Sequence, residues 1–477
     1  MHPVVHWITS PPWLNNGNPR YEFVERWEKN AGPALQTLIK DRSPELGMVL
    51  DKYANEWVAW KAALIADPKG YKDRTTHNNN PTSSTLLTQE LLPNMMRMFA
   101  PPTPKSKLGV YRKLSTLAGV HVSPIVLGGM SIGDKWHEYG IGSMSKEDSF
   151  KLLDAYYDLS GNFIDTANFY QNGTSEQFIG EWAEGRGIRD QLFIATKYTN
   201  NTKLFDTSVE QRVLYGGNNA KSMYLGIDNS LKNLRTTYVD LFYVHWWDYT
   251  TNIPELMQAL HALVVARKVI YLGISDAPAW VAAKANQYAR DHALTPFSVY
   301  QGHWNILDRS IERDILPMAR DEGMAIAPWG VLASGKIRTD AEEERRRQTG
   351  EHGRKMLSPD WERTPDEKKV CQALEKVAAE VGAKHIGSVA IAYVMHKTTF
   401  VFPIIGGRKV EHLEANLEAL DISLTTEHLK YLDSIIPFDL GAPHSIFGVG
   451  DGYTILNEAN GRMDFWPLAK PITPSQK

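Results

Sequence analysis

From residue 110 to about residue 440, short apolar runs alternate with longer amphipathic stretches. Eight runs read as strands: "SPIVLGG" (123–129), "NFIDTA" (162–167), "LFIATK" (192–197), "VDLFYVHW" (239–246), "YLGISD" (271–276), "FSVYQG" (297–302), "AIAPWG" (325–330) and "FVFPIIG" (400–406). Each is rich in β-branched, aromatic or aliphatic residues, as a strand buried on both faces requires. The intervals carry helical patterns. "SKEDSFKLLDAYYDL" opens on a Ser145-x-x-Asp148 cap signal, and "PELMQALHALVVARK" places Pro254 in a permitted first turn. Eight strands with helices between them predict an α/β fold of the (β/α)8 TIM-barrel type. Before the first strand, "VYRKL" and "VHVSP" flank Ala118-Gly119 and predict a β-hairpin that caps the barrel floor. A doubly wound sheet is the competitor, but it should carry G-x-G-x-x-G after its first strand, where "LGGMSIGD" lacks that spacing.

Texture outside the barrel divides the chain. Residues 1–97 hold a helix-like stretch and the polar run "DRTTHNNNPTSSTLLTQ", and form an N-terminal extension that is partly helical or disordered. A Pro-rich segment (98–109) leads into the barrel, placed at 98–440, and an irregular Gly- and Pro-rich tail fills 441–477. Residues 336–366, with "AEEERRRQTGEHGRK", read as a solvated lid helix. Of 477 residues 43% are hydrophobic and 22% charged, a globular balance. The net charge of −3 offers no field to recruit nucleic acid or an anionic membrane. Cys371 is the only cysteine, so neither an intrachain disulfide nor a Cys metal cluster can form. No apolar run approaches 18 residues and the first residues lack a signal-peptide layout, so a cytoplasmic protein is expected.

The strand ends carry the chemistry. Asp165 closes the second strand and Tyr170 lies in the loop behind it. Lys197 ends the third, His245 lies in the fourth, Ser275-Asp276 end the fifth, Gln301 the sixth, Trp329-Gly330 the seventh and Gly406-Gly407-Arg408 follow the eighth. In a barrel these positions share one mouth, where active sites are built. An aspartate behind an apolar run is costly to ionise unless paired, and Lys197 can pair with it. Hydride reduction of a carbonyl leaves an alkoxide to protonate. Tyr170 could supply that proton with Lys197 as the cation favouring its phenolate, and His245 could donate a hydrogen bond to the carbonyl oxygen.

With "DTANFY", "ATK" and "YVHWWD", the stretch from about 105 to 440 resembles the aldo-keto reductase superfamily, whose Asp-Tyr-Lys-His tetrad follows strands two, two, three and four. "GGMSIGDKW", "YLGISDAPAWV", "YQGHWNILDR" and "VFPIIGGRKVEHLEANLEAL" resemble its fungal aryl-alcohol dehydrogenase branch, which includes norsolorinic acid reductase-like enzymes. The resemblance implies an NADP(H)-dependent carbonyl reductase or alcohol dehydrogenase, with a place in fungal secondary metabolism. It puts Gly129 and Met130 at the nicotinamide end, Ser275 and Gln301 at the carboxamide and Trp329 against the ring. Asp165 borders the same site, and Asp276 stands where the family usually has Asn. Ser334, Gly335 and Lys336 meet the pyrophosphate. Gly406, Gly407 and Arg408 stand at a helix N-terminus suited to phosphate, with His412 and Asn416 toward the adenine; Lys409 and Arg408 favour the 2′-phosphate.

For substrate, the mouth aromatics Trp136, Tyr139, Trp246, Trp247, Tyr249 and Trp304, with Tyr170 and His245, suit a flat aryl aldehyde or polycyclic ketone. Neither nucleic acid nor membrane is an expected partner, and the protein is expected to be a monomer or homodimer. Two alternatives stand beside this reading: a redox-sensing regulatory subunit of the potassium-channel β type, and a Schiff-base lyase using Lys197. The resemblance omits residues 1–97. Met98 opens a segment resembling the family's usual beginning, so 1–97 read as a mispredicted gene start whose removal would leave activity intact.

Overall fold

The computed structural model describes residues 100–139, 142–350 and 361–474. The expectations for residues 1–97 lie outside these. The barrel belongs to a compact unit, Thr103–Lys477.

A hairpin of β1 (Arg112–Lys113) and β2 (His121–Val122) precedes eight strands: β3 (Val126–Gly128), β4 (Phe163–Asp165), β5 (Phe193–Tyr198), β6 (Val239–Val244), β7 (Val269–Ser275), β8 (Phe297–His303), β9 (Ala325–Trp329) and β10 (Ile404–Ile405). The eight pair in parallel in the order β10-β3-β4-β5-β6-β7-β8-β9. Closure runs through Ile326, whose N–H donates to Phe400 O and whose carbonyl accepts from Phe402 N, each at 2.9 Å. This is the (β/α)8 barrel that the strand count predicts. The eighth expected strand (400–406) is interrupted: Phe400 has φ 56°, and Pro403, which has no N–H, separates the closing residues from β10.

Alternation sorts the side chains. Val126, Phe163, Phe193, Ala195, Leu241, Tyr243, Val299, Ala325 and Ala327 fill the barrel interior. Leu127, Ile164, Ile194, Phe242, Leu272, Ile274 and Ile326 point outward into the layer shared with the helices. The hairpin plugs the floor as expected, since Leu114, Ala118 and Val122 join the interior cluster and are buried. Helix starts follow local chemistry. Ser145 caps Lys146–Asp158 by accepting from Asp148 N, and Asn252 caps Ile253–Val265 ahead of Pro254.

The insert is less solvated than its composition suggests. Glu343, on the helix Asp340–Thr349, is buried between Arg338 and Arg363, accepting from each at 2.8 Å. Burial pushes its carboxyl up, but the bonds from Arg363 and Arg338 outweigh that and hold it at about 2. The segment is therefore anchored by an ion cluster rather than free on the surface. In the tail, two four-residue helical turns (His444–Phe447 and Ile455–Glu458) interrupt irregular chain.

Because Leu114 fills the floor of a closed barrel, Leu114→Ala should cost about 2–5 kcal/mol of stability in urea denaturation followed by circular dichroism. A loss below about 1 kcal/mol would mean that the hairpin does not plug the core.

Candidate active site

The same period of two that fills the interior places polar groups at its upper end. Continuing from Phe163 gives Asp165, from Phe193 and Ala195 gives Lys197, from Leu241 and Tyr243 gives His245, and from Val299 gives Gln301. Register staggers them: Asp165 pairs with Ala195 and Lys197 with Tyr243, so Lys197 and His245 each lie two residues beyond the partner of the one before. Asp165 is 3% and Lys197 0% exposed, so neither charge would be tolerated alone.

They are not alone. Lys197 Nζ donates to Asp165 Oδ1 at 2.5 Å, to Thr166 O at 2.8 Å and to Tyr170 Oη at 3.4 Å, which occupies all three ammonium protons. The other Asp165 oxygen accepts from Gln301 Nε2 at 2.9 Å. Gln301, expected at the carboxamide, thus also braces the ion pair. Burial alone would lower the Lys197 ammonium, but Asp165 foremost and Tyr170 overcome it, and its pKa rises. For Tyr170 the balance differs from the expectation. Burial is the largest effect and raises the phenol above 10.0, while Lys197 pulls the other way without prevailing. Tyr170 is therefore a protonated phenol at neutral pH.

Its turn is set by Gln171 and Asn172, both left-handed at φ 53° and 54°. Buried Gln171 accepts from Lys135 N and Trp136 N at 3.0 and 2.8 Å and donates to Met130 O and Gly142 O at 3.0 and 2.8 Å. One side chain thus fastens the loop after β3 to the Tyr170 turn. His245 lies one residue beyond β6, its ring centroid 5.7 Å from that of Tyr170. Burial and, secondarily, the Lys197 charge push its pKa well below the ordinary value, so the ring is neutral.

Aromatic rings run outward from Tyr170. Trp136 meets it edge-on at 6.2 Å and Phe169 at 5.3 Å; Phe205 follows Phe169 at 6.1 Å and stacks on Tyr139 at 5.2 Å. Trp246 and Tyr249 are exposed nearby in sequence. Trp304 requires a correction. It is fully buried with its indole N–H on Glu312 at 3.1 Å, so it packs the barrel wall and cannot line an open mouth. Trp247 and Trp136 are likewise buried, Trp136 with its indole N–H on Asn172 at 2.9 Å, so neither is an open substrate surface.

The remaining expected positions occupy the same end of the barrel. Gly129 leaves no room for a side chain, since a Cβ there would lie 3.0 Å from Asp165 O and 3.1 Å from Ser175 Oγ. Ser275 is buried and donates to Asp276 Oδ2 at 3.3 Å. Trp329 Nε1 lies 3.2 Å from both Asp276 oxygens, and its ring is tilted against His303. Ala333, Ser334 and Gly335 form a left-handed run. Lys336 is turned into the insert, where Nζ donates to Glu362 O at 2.5 Å and to Glu367 at 3.3 Å. Gly406, Arg408, Lys409 and His412 are exposed around the start of the helix Val410–Leu417, Gly407 is half-buried, and Asn416 is buried beneath.

Residues 124–437 match the model of the Aldo/keto reductase family. The chain belongs to that family. It is 58% identical over 385 residues (80% of this chain, 100% of the relative) to an aryl-alcohol dehydrogenase [NADP(+)] of Phanerodontia chrysosporium. It is 48% identical over 356 residues (74% and 89%) to aldo-keto reductase ausK of Aspergillus calidoustus. With norsolorinic acid reductase B of Dothistroma septosporum the identity is 45% over 377 residues (76% and 94%). The family match contains β3 to β10 and with them Asp165, Tyr170, Lys197 and His245.

Not foreseen from the sequence were Gln171, Phe169 and Phe205, nor Asn200 and Asn218, whose amides lie 2.9 Å from His245 Nδ1 and Trp246 O respectively. Phe169 and Gln171 flank Tyr170, and a bulky pair beside a turn tyrosine was a usable signal. Asn200 and Phe205 fall in the loop after β5, where nothing local marks them.

Replacing Lys197 by Met leaves buried Asp165 without its cation. That should cost about 3–5 kcal/mol in urea denaturation, and adding Asp165→Asn should recover part of the loss. A single variant as stable as wild type would show that the pair is not buried as described.

Proposed function

We propose that this protein is an NADP(H)-dependent carbonyl reductase that interconverts an aryl or polycyclic aldehyde or ketone and its alcohol. The observation carrying this reading is the Tyr170 hydroxyl 3.4 Å from an ammonium that is itself clamped to Asp165 at 2.5 Å. A protonated phenol beside a fixed positive charge is an acid whose conjugate base has a partner waiting. When bound, NADPH supplies the hydride. Tyr170 gives its Oη proton to the substrate oxygen as that oxygen gains negative charge, and Lys197 stabilises the phenolate left behind. His245, neutral, donates to the same oxygen and orients it. In the oxidising direction the same groups run in reverse.

Several features fit the nucleotide. The left-handed run 333–335 is built of small residues, Ala333, Ser334 and Gly335, which suit close approach of a phosphate. Among the described residues no carboxylate pairs with Arg408 or Lys409, which stand exposed at a helix N-terminus and suit the 2′-phosphate. Lys336 joins the pyrophosphate only by leaving Glu362 and Glu367. The rings of Phe169, Phe205 and Tyr139 offer a wall for flat substrates, and the names of the relatives agree with an aryl substrate. A cytoplasmic location and a role in secondary metabolism accord with this reading. The lyase alternative meets a physical obstacle, because a Schiff-base lysine must be a free amine and Lys197 is a charged, fully engaged ammonium.

The test is NADPH consumption with a panel of aryl and aliphatic aldehydes. Aryl aldehydes should turn over, and Tyr170→Phe should lose about 10²–10⁴-fold in kcat while still quenching protein fluorescence on NADPH binding. Full activity in Tyr170→Phe, or no turnover of any carbonyl despite cofactor binding, would refute the assignment.

A further inference from the structure

Which nitrogen of His245 carries the proton is decided by a residue outside the tetrad. Beyond β5, Thr199 takes φ 98°, an uncommon conformation for a β-branched residue. Its buried hydroxyl accepts from His245 N at 3.2 Å and from Asn218 Nδ2 at 2.9 Å. Asn218 is itself buried and fixed, donating to Trp246 O at 2.9 Å and accepting from Asp248 N at 2.8 Å. The strained turn is thereby sewn to the loop after β6, and it delivers Asn200 between His245 and Trp246.

Asn200 makes two bonds there. Its Oδ1 accepts from Trp246 Nε1 at 3.0 Å, and its Nδ2 lies 2.9 Å from His245 Nδ1. An amide's two ends are hard to distinguish by shape alone. Here the indole removes the ambiguity, since its N–H can only donate. The carbonyl end must therefore face Trp246, and the NH₂ end must face the histidine. An NH₂ group set against Nδ1 requires a lone pair on Nδ1, which leaves the ring proton on Nε2.

We propose that Asn200, oriented by the Trp246 indole, is a positioning residue that holds His245 as the Nε2–H tautomer and so makes it a donor to the substrate oxygen. This rests on the catalytic reading of His245 above. The same contact opposes protonation of the ring, because an imidazolium would set N–H against N–H. Burial and the Lys197 charge act in the same direction.

The experiment is ¹⁵N NMR of histidine-labelled protein, with His245 picked out from the 15 histidines by comparison with His245→Gln. Wild type should show Nδ1 at the unprotonated shift and Nε2 at the protonated one across pH 6–8. In Asn200→Asp the carboxylate accepts from Nδ1–H, so Nδ1 should become protonated and kcat for carbonyl reduction should fall roughly 10²-fold, with NADPH affinity unchanged. Trp246→Phe frees the amide to rotate and should broaden or split the wild-type signal. A protonated Nδ1 in wild type, or an Asn200→Asp spectrum identical to it, overturns the proposal. The wild-type spectrum decides the matter even if the variants fail to fold. Failure here would leave the role of Tyr170 standing, whereas an active Tyr170→Phe would remove that role without moving the histidine spectrum.

Discussion

A buried charge must be matched, and in this barrel one match organises everything above it. Lys197 and Asp165 are both sealed from solvent at the interior end of their strands, where an unpaired ion would not be tolerated. Their pairing uses one ammonium proton, the Thr166 carbonyl takes the second, and the third has only Tyr170 to reach. The geometry that keeps the charge affordable is thus the geometry that aims it at the phenol. Gln301, from the opposite side of the barrel order, closes the last open side of the aspartate.

Three backbone devices then hold the mouth around that pair. Left-handed Gln171 and Asn172 turn Tyr170 back over Lys197, and the Gln171 side chain ties that turn to the loop carrying Trp136. Thr199, also with positive φ, sends Asn200 across to His245. Asp276, with φ 42°, brings its carboxylate under the Trp329 indole. Non-glycine residues with positive φ are uncommon; these four fall where strands give way to the site, whereas Ser160, Arg235, Arg267 and Ala293 follow helix ends. At Gln171 and Thr199 the strain is held by buried side chains whose hydrogen bonds reach across to neighbouring loops.

Much of this was legible in the chain, for physical reasons that differ by element. The interior strands announce themselves because both faces are buried, which leaves runs such as "LFIA" (192–195) with no polar interruption. Asp165 and Lys197 were conspicuous because a charge behind such a run demands an explanation. What stayed hidden was side-chain pairing that only the folded backbone brings about. The pattern around Trp304 does not say that its indole will find Glu312, and the charge-rich insert reads as solvated because the pairing of Glu343 with Arg338 and Arg363, 5 and 20 residues away, depends on how the segment folds. The sign of the Tyr170 shift was also beyond reach, since it depends on how much water burial removes as well as on which cation is nearby.

The acidity of Tyr170 depends on Lys197 remaining a charged ammonium beneath it. ¹⁵N NMR of the lysine side chain in the native protein, assigned against Lys197→Met, reads that charge directly. A protonated ammonium resonance persisting from pH 6 through pH 9 is the predicted result. A neutral amine anywhere in that range would contradict it, because Tyr170 would then lack the charge that makes it an acid.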